Sequence, residues 1–232
     1  MIVFLTSSPC VPNADRAILN PANDFVERMR AALPPHPRCL FVCSHPDSAY
    51  LTDKYAGDMD EAFSGAGIPF ASLTVLDSRN DEHAREWIAN SDLIILAGGH
   101  VPTQNEYFER IGLKHLLREY HGVLMGVSAG SMNAADWVYA QPEMEGESIS
   151  PEYRRWLRGL GLTTTNILPH YQMIRDWQLD GRRLFEDITF EDSWGHTFYA
   201  LVDGSYLYIE NGQEELIGEA YRISDGKMER CG

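Results

Sequence analysis

The chain has 232 residues, 44% of them hydrophobic, enough to bury a sizeable core as one large α/β unit or two small ones. Its 34 acidic and 19 basic side chains give a formal charge of −15, which disfavours nucleic-acid backbones and anionic membrane surfaces, since both require Lys/Arg patches. No run of eighteen apolar residues occurs, so no membrane span is expected, and an acidic substrate would need a dedicated local cation.

The opening Met-Ile-Val-Phe-Leu-Thr lacks a basic leader and is expected to form a first strand at 2–6 rather than a signal peptide. Further strands are predicted at 38–44, 70–76, 92–97 and 122–127, each a short apolar run suited to a strand covered on both faces. Helices are predicted between them, near 22–33, 47–65, 81–90 and 103–120, with Gly65 and Gly67 stopping the second. This alternation implies an α/β fold with a parallel sheet, whose active residues gather at the carboxyl ends of the strands. After residue 135 the pattern changes. Residues 137–165, with Pro142 and Pro151, read as an irregular excursion, followed by a strand near 164–168 and a helix near 178–188. Strands are then predicted at 198–202, 206–210 and 219–224, punctuated by Asp203-Gly204, Asn211-Gly212 and Asp225-Gly226 turns, so part of this sheet is expected to be antiparallel. With no repeat, low-complexity tract or linker, a single domain over 1–232 is expected. Cys10, Cys39, Cys43 and Cys231 show neither metal-ligand nor tight disulfide spacing, which suits reduced thiols in a cytoplasmic protein.

The chemistry concentrates around Gly126-Val-Ser-Ala-Gly130, a Gly-x-Ser-x-Gly sequence between an apolar strand and a helical run. Glycines at 126 and 130 permit a tight turn that holds the Ser128 hydroxyl outward as a candidate nucleophile. A serine needs a base to take its proton. His170, directly after the strand ending Ile167-Leu168-Pro169, is the strongest candidate; His45 and His100 also follow strand ends and could line the site. The base needs a carboxylate to fix its tautomer. Asp203 follows a strand and fits that role, with Glu143, Glu191 and Asp192 as competitors. Oxyanion donors could come from the N–H groups of Gly99, in Ala97-Gly98-Gly99-His100, and Ala129. A phosphate-cradling role is the weaker reading of that loop, which has neither Gly-x-Gly-x-x-Gly nor a Gly-Lys-Ser/Thr ending. Arg175, Arg182 or Arg183, downstream of His170, could supply a cation for a substrate carboxylate, while Tyr171 and Trp177 could restrict the pocket to short peptides. Neither a metal nor any other cofactor is expected, since no His-x-x-x-His or comparable spacing is present.

Four segments together resemble a known family, the peptidase E group of serine peptidases, which includes the cyanophycinases. They are Leu96-Ala-Gly-Gly99 with Gln104 soon after, Gly126-Val-Ser-Ala-Gly-Ser131, Leu168-Pro-His-Tyr171 and Ala200-Leu-Val-Asp-Gly-Ser205, in matching order over roughly residues 1–210. The resemblance implies a class I glutamine amidotransferase-like fold. This is a three-layer α/β sandwich with a mostly parallel, flavodoxin-like sheet, a nucleophile elbow and some antiparallel C-terminal strands. It implies Ser128 as nucleophile, His170 as base, an acid at or near Asp203, and Gly99 with Ala129 as oxyanion hole. The glycine loop would then border the substrate, with His100 and Gln104 as candidate contacts there, while Arg182 and Arg183 are candidate substrate contacts from their position downstream of His170. Family members cut dipeptides after an N-terminal Asp or degrade a polymer of aspartate and arginine. The implied activity is therefore serine-peptidase hydrolysis of short peptides, with Asp-first dipeptides as one substrate class, by a monomer or homodimer. The chain departs from the usual Gly-Gly-Gly-Asn loop at Ala97 and His100, with an inserted-looking Val101-Pro102-Thr103. Two alternatives stand beside this: glutamine amidotransfer, whose elbow normally carries cysteine, and a binding module on the same fold that has lost turnover.

Overall fold

The apolar runs of the first half become strands because each has a layer of helices to bury against on either side. In the computed structural model, which describes residues 1–232, these are β1 (Ile2–Thr6), β2 (Arg38–Val42), β3 (Ser72–Leu76), β4 (Leu93–Leu96) and β5 (Val123–Val127). The second half adds β6 (Trp137–Tyr139), β7 (Trp156–Arg158), β8 (Asn166–Leu168), β9 (Gln178–Leu179), β10 (Arg182–Arg183) and β11 (Thr197–Leu201). The last four strands are β12 (Tyr206–Glu210), β13 (Gln213–Ile217), β14 (Ala220–Ser224) and β15 (Lys227–Arg230). The main sheet has the order β13-β12-β1-β5-β4-β2-β3. Its five N-terminal strands are mutually parallel, and β12 and β13 extend it antiparallel past β1. A second sheet, β15-β14-β11-β8, pairs β8 and β11 in parallel and is otherwise antiparallel.

Strand alternation divides the core in two. Val3, Leu5, Leu40, Val42, Ile94, Leu96 and Leu124 face one layer, where α3 (Ala84–Ala89), α4 (Val101–Arg110) and α5 (Leu113–Leu116) contribute Ile88, Tyr107, Phe108 and Leu113. Phe4, Cys39, Phe41, Leu93, Ile95, Val123 and Met125 face the other, against Phe25 and Met29 of α1 (Phe25–Ala32) and Ala56 and Phe63 of α2 (Ala49–Gly65). Each fully buried side chain of this size contributes roughly 1.5–3 kcal/mol, so a one-residue slip of any central strand would exchange two optimised sets and is strongly disfavoured. The mostly parallel three-layer arrangement expected from the resemblance is the one found.

Three local expectations are corrected. The helix predicted over 103–120 begins at Val101 and ends at Arg110; Gly112, at φ +66°, breaks it before α5 begins. Val101-Pro102-Thr103 is thus the first helical turn, where proline is tolerated, and not a loop insertion. The helix predicted near 178–188 opens instead as the hairpin β9–β10. Its turn residues Asp180 and Gly181 have φ +53° and +76°, the two positive angles of a tight hairpin turn. Only from Leu184 does the chain coil, in a wide helical turn to Thr189.

Candidate active site

Chain connectivity delivers the expected groups to one edge. Ser128 follows β5, the Gly98-Gly99 loop follows β4, Ser44 and His45 follow β2, and Ser7 follows β1, all at carboxyl ends of parallel strands. His170 and Asp203 leave the second sheet after β8 and β11, which lie side by side.

Ser128 has φ +49° and ψ −111°, a strained conformation for a residue with a Cβ. Its surroundings over-determine it. Ser128 N–H donates to the carbonyls of Thr6 (3.1 Å) and Ser7 (3.2 Å), and Ser131 Oγ donates to the Thr6 carbonyl (2.8 Å). Both flanking glycines are required by close approach: a Cβ on Gly130 would stand 2.3 Å from the Leu96 carbonyl oxygen, and one on Gly126 2.8 Å from the Ser131 backbone. The short helix α6 (Ala129–Met132) begins on the next residue.

The Ser128 hydroxyl lies 3.0 Å from His170 Nε2, to which it can donate, and His170 Nδ1–H donates to Asp203 Oδ1 at 2.8 Å. Asp203 Oδ1 also accepts from Ser7 Oγ (2.7 Å), and its Oδ2 accepts from Gln172 Nε2 (2.6 Å). The Asp203 side chain is only 4% exposed. Burial pushes its carboxyl upward, but the hydrogen bond and charge of His170, with the Ser7 and Gln172 donors, outweigh that and hold it below its ordinary value. Such an array can draw a proton from the hydroxyl and steady the imidazolium that results.

The competing acids are engaged elsewhere. Asp192 accepts from Tyr139 OH (2.6 Å) and Arg155 (2.5 Å), Glu191 pairs with Arg182 (2.7 Å), and Glu143 accepts the Val101 N–H (3.3 Å). Glu143 is exposed at the surface, yet the protein around its carboxyl raises it by desolvation, opposed by the nearby His100 and His170. The N–H groups of Gly99 and Ala129 have no protein acceptor, which leaves both available to a substrate oxygen. Gly99 is tightly seated: a Cβ there would stand 2.5 Å from Ser44 Oγ. Ser44 Oγ in turn donates to the Gly98 carbonyl (2.5 Å) and accepts from His45 Nδ1–H (2.9 Å), so His45 braces the loop.

A cavity of about 290 Å³ opens onto Ser128 and His170, walled by Phe41, Tyr55, Met59, Val127 and the Ala97–Gly99 backbone. Its lining also holds Asp58, whose carboxylate pairs with Lys54 (2.8 Å), and no arginine or lysine. The residues expected at the substrate fall outside this lining. Gln104 is fully buried beneath the loop, donating to the Ala97 carbonyl (2.7 Å) and accepting from Asn133 (3.1 Å). His100 is held between Thr103 (2.7 Å) and Glu147 (2.8 Å), tying the glycine loop to the 141–150 excursion. Arg182 and Arg183 are bound to Glu191 and Asp187 beside the β9–β10 hairpin, and Arg175 pairs with Asp176. Tyr171 packs on Phe185 and Tyr221, and Trp177 is half-exposed. Sequence reasoning missed Ser7, Gln172, Tyr55 and Asp58. Ser7 alone carried a usable signal, as a small polar residue at a parallel strand's carboxyl end. No group of three or more His, Cys, Asp or Glu side chains converges in a metal-binding arrangement, and no helix is long and apolar enough to cross a membrane.

These features define an α/β protein with a candidate serine-hydrolase site. The family model for Peptidase family S51 matches residues 4–217, nearly the whole chain. The chain belongs to that family and is a serine peptidase. A solved structure of a candidate peptidase E from Listeria monocytogenes EGD-e superposes with a TM-score of 0.61 at 17% identity. The match covers 93% of this chain and 96% of that one, and establishes a shared fold. No curated protein sequence matches this chain.

Proposed function

We propose that the chain hydrolyses short peptides through an acyl-enzyme on Ser128, with His170 as general base and then general acid, and Asp203 as the group that orients it. The observation that carries this reading is the continuous hydrogen-bonded line from Ser128 Oγ through His170 to Asp203, at 3.0 Å and 2.8 Å. Ser128 attacks the scissile carbonyl while His170 takes its proton; the developing oxyanion meets the N–H groups of Gly99 and Ala129. Collapse expels the amine, protonated by His170, and water activated by the same imidazole releases the acid. The small cavity, about 290 Å³ and closed on one side by α2, suits a short substrate.

The cavity walls bear on specificity. A substrate Asp side chain placed there would meet Asp58 and no arginine or lysine among the lining residues. That lining favours a neutral or cationic residue on the acyl side of the scissile bond. The test is a dipeptide library with Asp-, Glu-, neutral- and Lys/Arg-first members, run beside Ser128→Ala. Cleavage of neutral- or cation-first peptides that vanishes in the variant is the expected result. Cleavage confined to Asp-first peptides would keep the mechanism and overturn the specificity, and activity surviving in Ser128→Ala would overturn the mechanism. Glutamine amidotransfer is disfavoured by serine rather than cysteine at the elbow, and a glutaminase assay is expected to be blank.

A further inference from the structure

We propose that Ser7 is the positioning residue that registers Ser128, His170 and Asp203 with one another across two separate sheets. The proposal rests on the reading of those three residues as the catalytic array. Ser128 belongs to the main sheet, at the end of β5, whereas His170 and Asp203 leave β8 and β11 of the second sheet. The 202–205 turn carries Asp203 from β11 into β12 of the main sheet beside β1, where Ser7 N–H donates to the Ser205 carbonyl (3.1 Å), but strand pairing alone does not align the three side chains. Ser7, just past β1 and fully buried, touches all three. Its carbonyl accepts the Ser128 N–H at 3.2 Å. Its hydroxyl accepts the His170 backbone N–H at 2.7 Å and donates to Asp203 Oδ1 at 2.7 Å. That oxygen is the one that receives His170 Nδ1–H.

The consequence follows from which bonds a change would remove. The carbonyl contact belongs to the backbone and survives any substitution, so the Ser128 elbow stays held. Loss of the hydroxyl frees the His170 N–H, in a residue whose φ of +60° depends on local support, and frees one side of Asp203. Gln172 still grips the other carboxylate oxygen at 2.6 Å and the Asp203 N–H at 3.1 Å, so the acid is not set adrift. The expected damage is a misplaced imidazole rather than a lost charge. Ser7 does not line the substrate cavity, so ground-state binding is not its task.

The experiment compares wild type, Ser7→Ala, Ser7→Cys and Ser7→Thr, each first checked by thermal melting. Three quantities are read: kcat and KM on a cleaved peptide, the rate of inactivation by a fluorophosphonate, and the downfield proton resonance of the His170 Nδ1–H held by Asp203. Misplacement on this scale costs up to about 100-fold in rate, so Ser7→Ala and Ser7→Cys are expected to lose about 10- to 100-fold in kcat and in inactivation rate. KM should stay within about twofold, the downfield resonance should be lost, and Ser7→Thr, which keeps a hydroxyl, should restore most of the rate. Wild-type kcat and resonance in folded Ser7→Ala would overturn the proposal, as would a loss in Ser7→Thr equal to that in Ser7→Ala. Should Ser7→Ala fail to fold, Ser7→Cys carries the same comparison with nearly unchanged volume. A wild type that neither cleaves peptides nor labels at Ser128 would sink the peptidase reading, while the resonance would still report whether Ser7 holds the His170–Asp203 pair.

Discussion

Asp203 owes its charge to a contest between enclosure and its three side-chain donors, and the donors prevail. Asparagine in its place would keep the shape but offer His170 an amide and favour the wrong tautomer. Asp203→Asn is therefore expected to lower kcat by about 10³–10⁴, read by steady-state peptide hydrolysis. The same residue ties stability to pH. Because its folded pKa lies below the ordinary value of about 3.9, its contribution is present above that value and is lost as pH falls through the lower folded one. Urea unfolding at stepped acid pH should show that component in wild type and not in Asp203→Asn. At this scale Ser128, His170 and Asp203 were legible because each follows an apolar strand, where an α/β sheet presents side chains to a ligand. Ser7 also follows an apolar strand, which marks its place but not its role; its role and that of Gln172 depend on partners 163 and 31 residues away along the chain. Gln104 misled for a related reason: its place in a motif marks the loop, while its amide serves the loop's underside.

The elbow and the helices beside it can be separated by glycine substitutions. A Cβ at Gly130 has to displace the Leu96 carbonyl, part of the β4 backbone, so Gly130→Ala is expected to destabilise by about 1–3 kcal/mol or more and to abolish activity. Gly57 is the contrast. It lies exposed within α2 with open space where a Cβ would be, so Gly57→Ala should stabilise by about 0.5–1 kcal/mol without changing kcat. Denaturant midpoints for the two variants moving the same way would contradict this account of the backbone. Strands bounded by clear turns, such as β12 with Asn211-Gly212 after it, were readable from sequence alone. The stretch from 178 to 188 was not, because its charged and apolar spacing resembles a helix while Asp180-Gly181 dictates a hairpin. Asp180 adds to that choice by accepting the Gly146 N–H (2.7 Å) and the Ser148 hydroxyl (2.7 Å), ties visible only once the excursion is folded.

Across the molecule, the main sheet carries two apolar layers and the second sheet a third cluster, in which Phe198 stacks on Tyr139 at 4.3 Å and Ala129 and Leu168 join the elbow to β8. The thiols report on this packing. Cys39 and Cys43 are buried in and after β2, and burial pushes the Cys43 thiol up to about 12 and that of Cys10 up to about 11, whereas Cys231 is exposed. A disulfide-exchange reagent should therefore titrate one thiol quickly in the native protein and four after unfolding. Rapid reaction of two or more native thiols would show that the strands are less protected than this packing implies. The parallel order of the first half was legible from strand and helix alternation. The division of the catalytic candidates between two sheets was not, since no local pattern in the sequence tells which sheet a strand such as β8 will join.

The most direct measurement is covalent labelling with a fluorophosphonate, followed by peptide mapping of the adduct in wild type, Ser128→Ala and Asp203→Asn. One adduct per chain on Ser128, absent from Ser128→Ala and formed much more slowly in Asp203→Asn, is the expected result. An adduct on another residue, equal labelling of Ser128→Ala, or a folded wild type that takes no label would contradict the assignment of Ser128 as an activated nucleophile.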